Sequence, residues 1–220
     1  MEGTISDPPK TRIAVVTGGN KGIGLEVCRQ LAVSAITVVL TARDETKGAA
    51  AVEKLREQGI SDVIFHQLDV TDASSIDRLA GFLKTRFGRV DILYFRSEEL
   101  KQELNDIDNL TEMRLDELLD TFLKDFEAGI LEARGWPGEL FVSYKVAKAA
   151  VNAYSRIMAR RHPTLRINCA HPGYVKTDMT RNSGLLTPEE GASNVVKVAL
   201  LPGGGPTGSF FGMGMVASFL

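Results

Sequence analysis

At 220 residues, with 26 Lys and Arg against 28 Asp and Glu, the chain carries a formal net charge of −2. Its 44% hydrophobic content can build the core of one large domain or two small ones. The near-neutral balance gives no electrostatic reason to expect nucleic acid or an anionic membrane as partner. Cys28 and Cys169 stand far apart in apolar surroundings, which predicts two buried free thiols in a reducing, cytoplasmic compartment. The opening "MEGTISDPPK" lacks the basic-then-apolar order of a secretory signal and predicts a disordered lead-in over 1–10, before a single domain over 11–220. The closing "SFFGMGMVASFL" is too short and too broken by glycine to span a bilayer, and predicts a last strand with its tail.

The first ninety residues alternate in period. "RIAVVT" (12–17) is a continuous apolar run, as a strand buried on both faces should be. Ile23, Val27 and Leu31 follow at helical spacing. A second strand is predicted over 35–42, a helix over 44–59 ending at Gly59, and a third strand over 62–70. Asp72 is placed to cap the next helix, whose Ile76, Leu79, Phe82 and Leu83 form one apolar stripe. "VDILYF" (90–95) is a fourth strand. Strands alternating with helices of this length predict right-handed βαβ units and a doubly wound parallel sheet, an α/β fold.

Beyond residue 96 the rhythm changes. Helices are predicted over 97–105, 111–133 and 139–162, with "GWPG" (135–138) as a break. Strand character returns only at "LRINCA" (165–170). A helix begins near Pro188, and "TGSFFGM" can form a final strand. Nearly seventy residues without a strand are unusual in a doubly wound sheet.

"TGGNKGIG" (17–24) joins the first strand to the first helix. Its glycines at 18, 22 and 24 let the backbone turn and approach a diphosphate, whose charge then meets the helix N-terminus. A tight turn with no ligand is the plainer alternative. The second strand ends "TARD". Arg43 there, and Lys21 inside the glycine loop, place two cations near one 2′-phosphate and favour NADP over NAD. Asp44 is the competing carboxylate, unless it caps the following helix. Asp69 and Val70, closing the third strand, are placed to contact an adenine, although Asp69 also suits a turn or cap.

"TGGNKGIG", "LTARD", "HQLDVTD", "YKVAK" and "HPGYVKTDM", in that order, resemble a short-chain dehydrogenase/reductase, closest to the carbonyl reductase and menthone/salutaridine reductase-like branch. The resemblance covers roughly residues 11–212. It implies a Rossmann-type domain with a helical insertion at about 97–138, NADPH as cofactor, and a small carbonyl or alcohol substrate, terpenoid-like in this branch. It also implies cofactor contacts from Gly18, Asn20, Lys21, Gly22, Ile23, Gly24, Arg43, Asp69, Val70, Tyr144, Lys148, Pro172, Gly173, Val175 and Thr177.

Tyr144 and Lys148 lie four apart on one predicted helix and so share a face. By the resemblance, Tyr144 protonates the carbonyl oxygen as hydride arrives, while Lys148 binds the nicotinamide ribose and favours the phenolate. Val175 and Thr177 correspond to positions that contact the carboxamide and phosphates. His171 reads as a strand-end residue, and His66, His162 and His171 are too isolated in sequence to suggest a metal site.

One part of the family pattern is missing. There, a strand beginning "VDIL" continues into an Asn-Asn-Ala-Gly turn under the cofactor, then a helix, then a strand ending in the serine that hydrogen-bonds the substrate oxygen. Here "VDILYF" passes directly into "RSEELKQELNDIDNL", and neither Ser97 nor Ser143 is placed to substitute. The chain therefore reads as a relative shortened at one internal place, with impaired catalysis as the alternative to activity. The strands at 90–95 and 165–170 must then pair directly or leave edges. Loss of an interface helix points to a monomer.

Overall fold

The apolar runs of the first ninety residues become β1 (Ile13–Val16), β2 (Thr37–Ala42), β3 (Val63–Gln67) and β4 (Ile92–Tyr94). They form one parallel sheet in the order β3-β2-β1-β4, with β1 paired to β2 from Ile13–Thr37 to Val16–Leu40. The structure, a computed structural model, describes residues 12–94, 110–134, 136 and 142–217. The predicted lead-in, the helix at 97–105 and Ser97 lie outside these. Two compact units emerge, one from the chain up to Phe95 plus Tyr174–Ala199, the other from Arg96–Gly173 plus Leu200–Leu220.

In the first unit, α1 (Gly22–Val33), α2 (Glu45–Glu57) and α3 (Ala73–Arg86) make the crossovers. Side chains alternate across the sheet, so Ile13, Val15, Val39 and Leu68 pack with Leu79 of α3, and Phe82, Leu83 and Phe87 close over them. Asp91 accepts the Ile13 N–H at 2.8 Å, satisfying the first amide of β1. Asp44 and Asp72 cap α2 and α3 by accepting the N–H groups of Lys47 and Ser74 at 3.0 and 2.9 Å. Asp44 is thus committed to its helix. The strand order reverses between β1 and β4, and in such sheets ligands sit at the carboxyl ends of the strands flanking the reversal. The glycine loop leaves β1 at that end.

In the second unit, α4 (Glu112–Glu127) lies against α5 (Val142–Arg161) through Leu110, Leu115, Ala150, Ala153 and Ile157. On α4, Leu115 and Phe122 are buried and Leu118 and Leu119 pack partly buried against α5, while Leu123 and Phe126 stay exposed. The predicted helix over 111–133 stops at Glu127 because Gly129, at φ +69°, takes the left-handed position and Ile130 N–H returns to the Asp125 carbonyl. Trp136 then folds back, donating from Nε1 to the buried Asp125 at 2.9 Å and meeting Phe122 edge-on.

The strand predicted over 165–170 forms only as β5 (Cys169–His171). Residues 165–168 bond instead to the loop that precedes residue 210. Ile167 N–H donates to Thr207 Oγ1 at 3.0 Å, and the Asn168 amide to the Pro206 carbonyl at 2.8 Å. The single closing strand becomes a hairpin, β6 (Phe210–Gly212) and β7 (Met215–Ala217), in a sheet ordered β5-β6-β7. Met213 and Gly214 both take positive φ at its turn, which suits a two-residue hairpin and was hidden because Met is a rare choice there. Among the described residues β4 pairs with β1, and β5 with β6.

Candidate cofactor-binding and catalytic sites

The glycine loop owes its shape to close approach. A Cβ on Gly24 would collide with the Gly18 carbonyl, so the start of α1 can lie directly on the end of β1 only without a side chain there. Gly18 and Gly22 take φ of +63° and +57°. Gly19, which the sequence pattern did not single out, is buried, and a Cβ on it would come within 2.7 Å of Leu40. Ile23 and Gly24 are buried, while Asn20 is half-buried.

The N-terminus of α1 is chemically unlike those of α2 and α3. Its cap residue, Lys21, makes no side-chain capping bond, and its first turn holds no acidic residue. Its first N–H groups thus have no side-chain acceptor in that turn, as an anion site requires. Within the same unit, Val175 is buried, and a Cβ on Gly22 would stand 3.6 Å from the Thr177 methyl. Among the described residues, Thr177 Oγ1 has no hydrogen-bond partner, although it is buried. A glycine cradle, uncapped amides and an orphaned hydroxyl together fit a dinucleotide diphosphate.

Around this cradle the charges are partly engaged. Lys21 Nζ lies 2.5 Å from Asp178 Oδ2. Arg43 is exposed at the end of β2. Asp69 is held below the usual carboxylate range, first by the Thr71 hydroxyl at 2.7 Å and Thr71 N–H at 3.0 Å, with Arg43 adding a weaker pull. Its side chain builds a turn, which leaves Val70 exposed. The sequence reading also passed over Gln67 and Ser75. Gln67 donates to the Arg43 carbonyl at 3.3 Å, Ser75 donates to Gln67 at 3.0 Å, and Asp69 N–H donates to Ser75 at 3.0 Å. The chain of bonds fixes the ends of β2 and β3 on one another. A polar pair inside "HQLDV" and "TDASS" was the available signal.

The second unit carries the remaining candidates. Tyr144 and Lys148 lie in the first two turns of α5, with Lys148 Nζ 5.5 Å from the centroid of the Tyr144 ring. Pro172 is buried, and Gly173 N–H donates to His171 Nδ1 at 2.9 Å, which commits that nitrogen to the turn after β5. Cys169 is buried, and burial pushes its thiol up; Cys28 behaves likewise in the first unit. No described helix is long and apolar enough to cross a membrane.

Residues 12–123 match the family profile of the short chain dehydrogenases. (+)-Neomenthol dehydrogenase of Capsicum annuum is 35% identical over 300 aligned positions, covering 91% of this chain and 95% of that protein. The solved structure of salutaridine reductase from Papaver somniferum superposes with a TM-score of 0.83 at 35% identity, covering 91% of this chain and 99% of that one. Carbonyl reductase (NADPH) 1 of Homo sapiens is 32% identical, over 90% of this chain and 95% of that protein. The chain belongs to the short-chain dehydrogenase/reductase family. Within it, these relatives set the chain in the carbonyl and menthone reductase branch of oxidoreductases. A 220-residue chain used over 300 aligned positions is shortened inside the aligned span.

Proposed function

We propose that this chain is an NADP-dependent oxidoreductase that interconverts a small ketone or aldehyde and its alcohol, as a cytosolic monomer. The observation that carries the cofactor half is the uncapped N-terminus of α1 beside the orphaned Thr177 hydroxyl. Gly18, Asn20, Gly22, Ile23 and Gly24 line the diphosphate, with Thr177 donating to it. Lys21 and Arg43 answer the 2′-phosphate. The commitment of Asp44 to its helix cap supports NADP, because the carboxylate that would bind a free ribose hydroxyl is engaged elsewhere. Asp69 and Val70 border the adenine; Val175, Pro172 and Gly173 belong to the nicotinamide end. When bound, NADPH supplies hydride. Tyr144 gives its phenolic proton to the carbonyl oxygen, and Lys148 stabilises the phenolate that remains.

A second reading, a nucleotide-binding module with little turnover, is favoured by one specific observation. The sequence after β4 lacks the Asn-bearing turn and the substrate-binding serine of the family pattern. Removing a single preorganised oxyanion donor typically costs about 10²–10³ in turnover.

Titrating NADPH into the purified chain, then following its oxidation with a panel of cyclic ketones, separates the two. Binding with turnover that Tyr144→Phe abolishes supports the enzyme. Binding with no turnover supports the module. Absence of binding overturns both.

A further inference from the structure

We propose that Asp178 holds Lys21 in the free protein and yields it to the 2′-phosphate of NADP, so that this carboxylate tunes discrimination between NADP and NAD. The inference rests on the NADP reading above.

Lys21 and Asp178 are 157 positions apart, and only folding of the first unit sets the ammonium 2.5 Å from the carboxylate. Both side chains are open to solvent, at 68% and 74% exposure. Water and salt screen such a pair, so its partners exchange readily. A phosphate monoester carries more charge than a carboxylate and three strong acceptor oxygens, so it wins the ammonium. Arg43, the other cation of the predicted subsite, differs. It acts on Asp69 only as a neighbouring charge, and Asp69 is already bonded to Thr71. Lys21 is therefore the cation that must change partner.

The consequence is selective. NADP binding takes Lys21 from Asp178 and leaves that carboxylate uncompensated near the phosphates. NAD has no 2′-phosphate to draw Lys21 away. The negative charge at position 178 thus opposes NADP more than NAD, and removing it should sharpen the preference.

The test is calorimetric titration of the full-length chain with 2′,5′-ADP and with 5′-ADP, which lacks the 2′-phosphate. It needs neither substrate nor turnover. Asp178→Asn should tighten 2′,5′-ADP about twofold to fivefold, in the range of an exposed ion pair, and change 5′-ADP less. The gain should shrink at high salt, vanish in a Lys21→Gln background, and be absent from Asp178→Glu, which keeps the charge. Weaker 2′,5′-ADP binding by Asp178→Asn, equal gains for both probes, or a gain that survives Lys21→Gln would each overturn the proposal. A wild-type chain that binds both probes equally overturns the NADP reading, and this inference with it. A wild-type preference that Asp178→Asn leaves unchanged overturns the inference alone.

Discussion

The Lys148 ammonium lies over the face of the Tyr144 ring, 5.5 Å from its centroid. One turn of α5 separates the two, so the helix itself sets the contact. Tyr144→Phe keeps the ring that the ammonium covers and removes only the hydroxyl. Turnover should fall about 10²–10⁴-fold, the span of a general acid, while NADPH affinity changes little. Steady-state kinetics beside a fluorescence titration of NADPH checks both halves of that expectation.

Thr177 Oγ1 is buried with no partner among the described residues, an arrangement that favours a hydrophobic isostere in the free protein. Thr177→Val should leave the melting temperature unchanged or raise it. If the hydroxyl serves a phosphate, the same variant weakens NADPH roughly tenfold to a hundredfold, the value of a hydrogen bond to a charged group. A stability loss without an affinity loss would mark Thr177 as merely structural.

Phe122 is buried on α4, its ring T-shaped to Trp136 with centroids 5.1 Å apart. Phe122→Ala should cost about 3–5 kcal/mol, the usual range for an aromatic core truncation. Trp136 is the single tryptophan, so its emission should shift to the red as the contact is lost. Urea unfolding followed by circular dichroism gives the energy, and fluorescence gives the location.

Acid should loosen the first unit through its helix caps. The Asp72 carboxyl sits below its ordinary value of 3.8, chiefly because Ser74 donates its hydroxyl to it. A depressed carboxyl contributes stability that is complete above the unfolded value and lost as pH falls through the folded one. Stability should therefore decline below about pH 4. Asp72→Asn caps without titrating, so its melting temperature should fall less steeply over that range.

The four strands of the first unit and their parallel pairing, the two aspartate caps and the buried thiols were legible because each follows from local periodicity or from one side chain beside a helix start. The strand order β3-β2-β1-β4 was not, because periodicity does not say which strands become neighbours. The glycine loop was legible for a similar reason: strand, turn and helix are contiguous, and the turn demands small residues. The stretch at 165–168 misled, since its apolar character suits a strand but its polar groups find partners in the loop at 200–207, forty residues on.

What the sequence determined by itself is the list of chemical groups: a glycine-rich strand-to-helix loop with one cation inside it and another after the second strand, and a tyrosine and lysine on one helical face. Tertiary structure decided how those groups are partnered. Gly19 is constrained by Leu40 across the loop, Asp69 is held by Thr71 and Ser75, and Lys21 meets Asp178 from a distant part of the chain. Periodicity reports which face of an element is apolar. It carries no record of which charge a distant loop will bring within reach, because folding, not spacing, sets that distance.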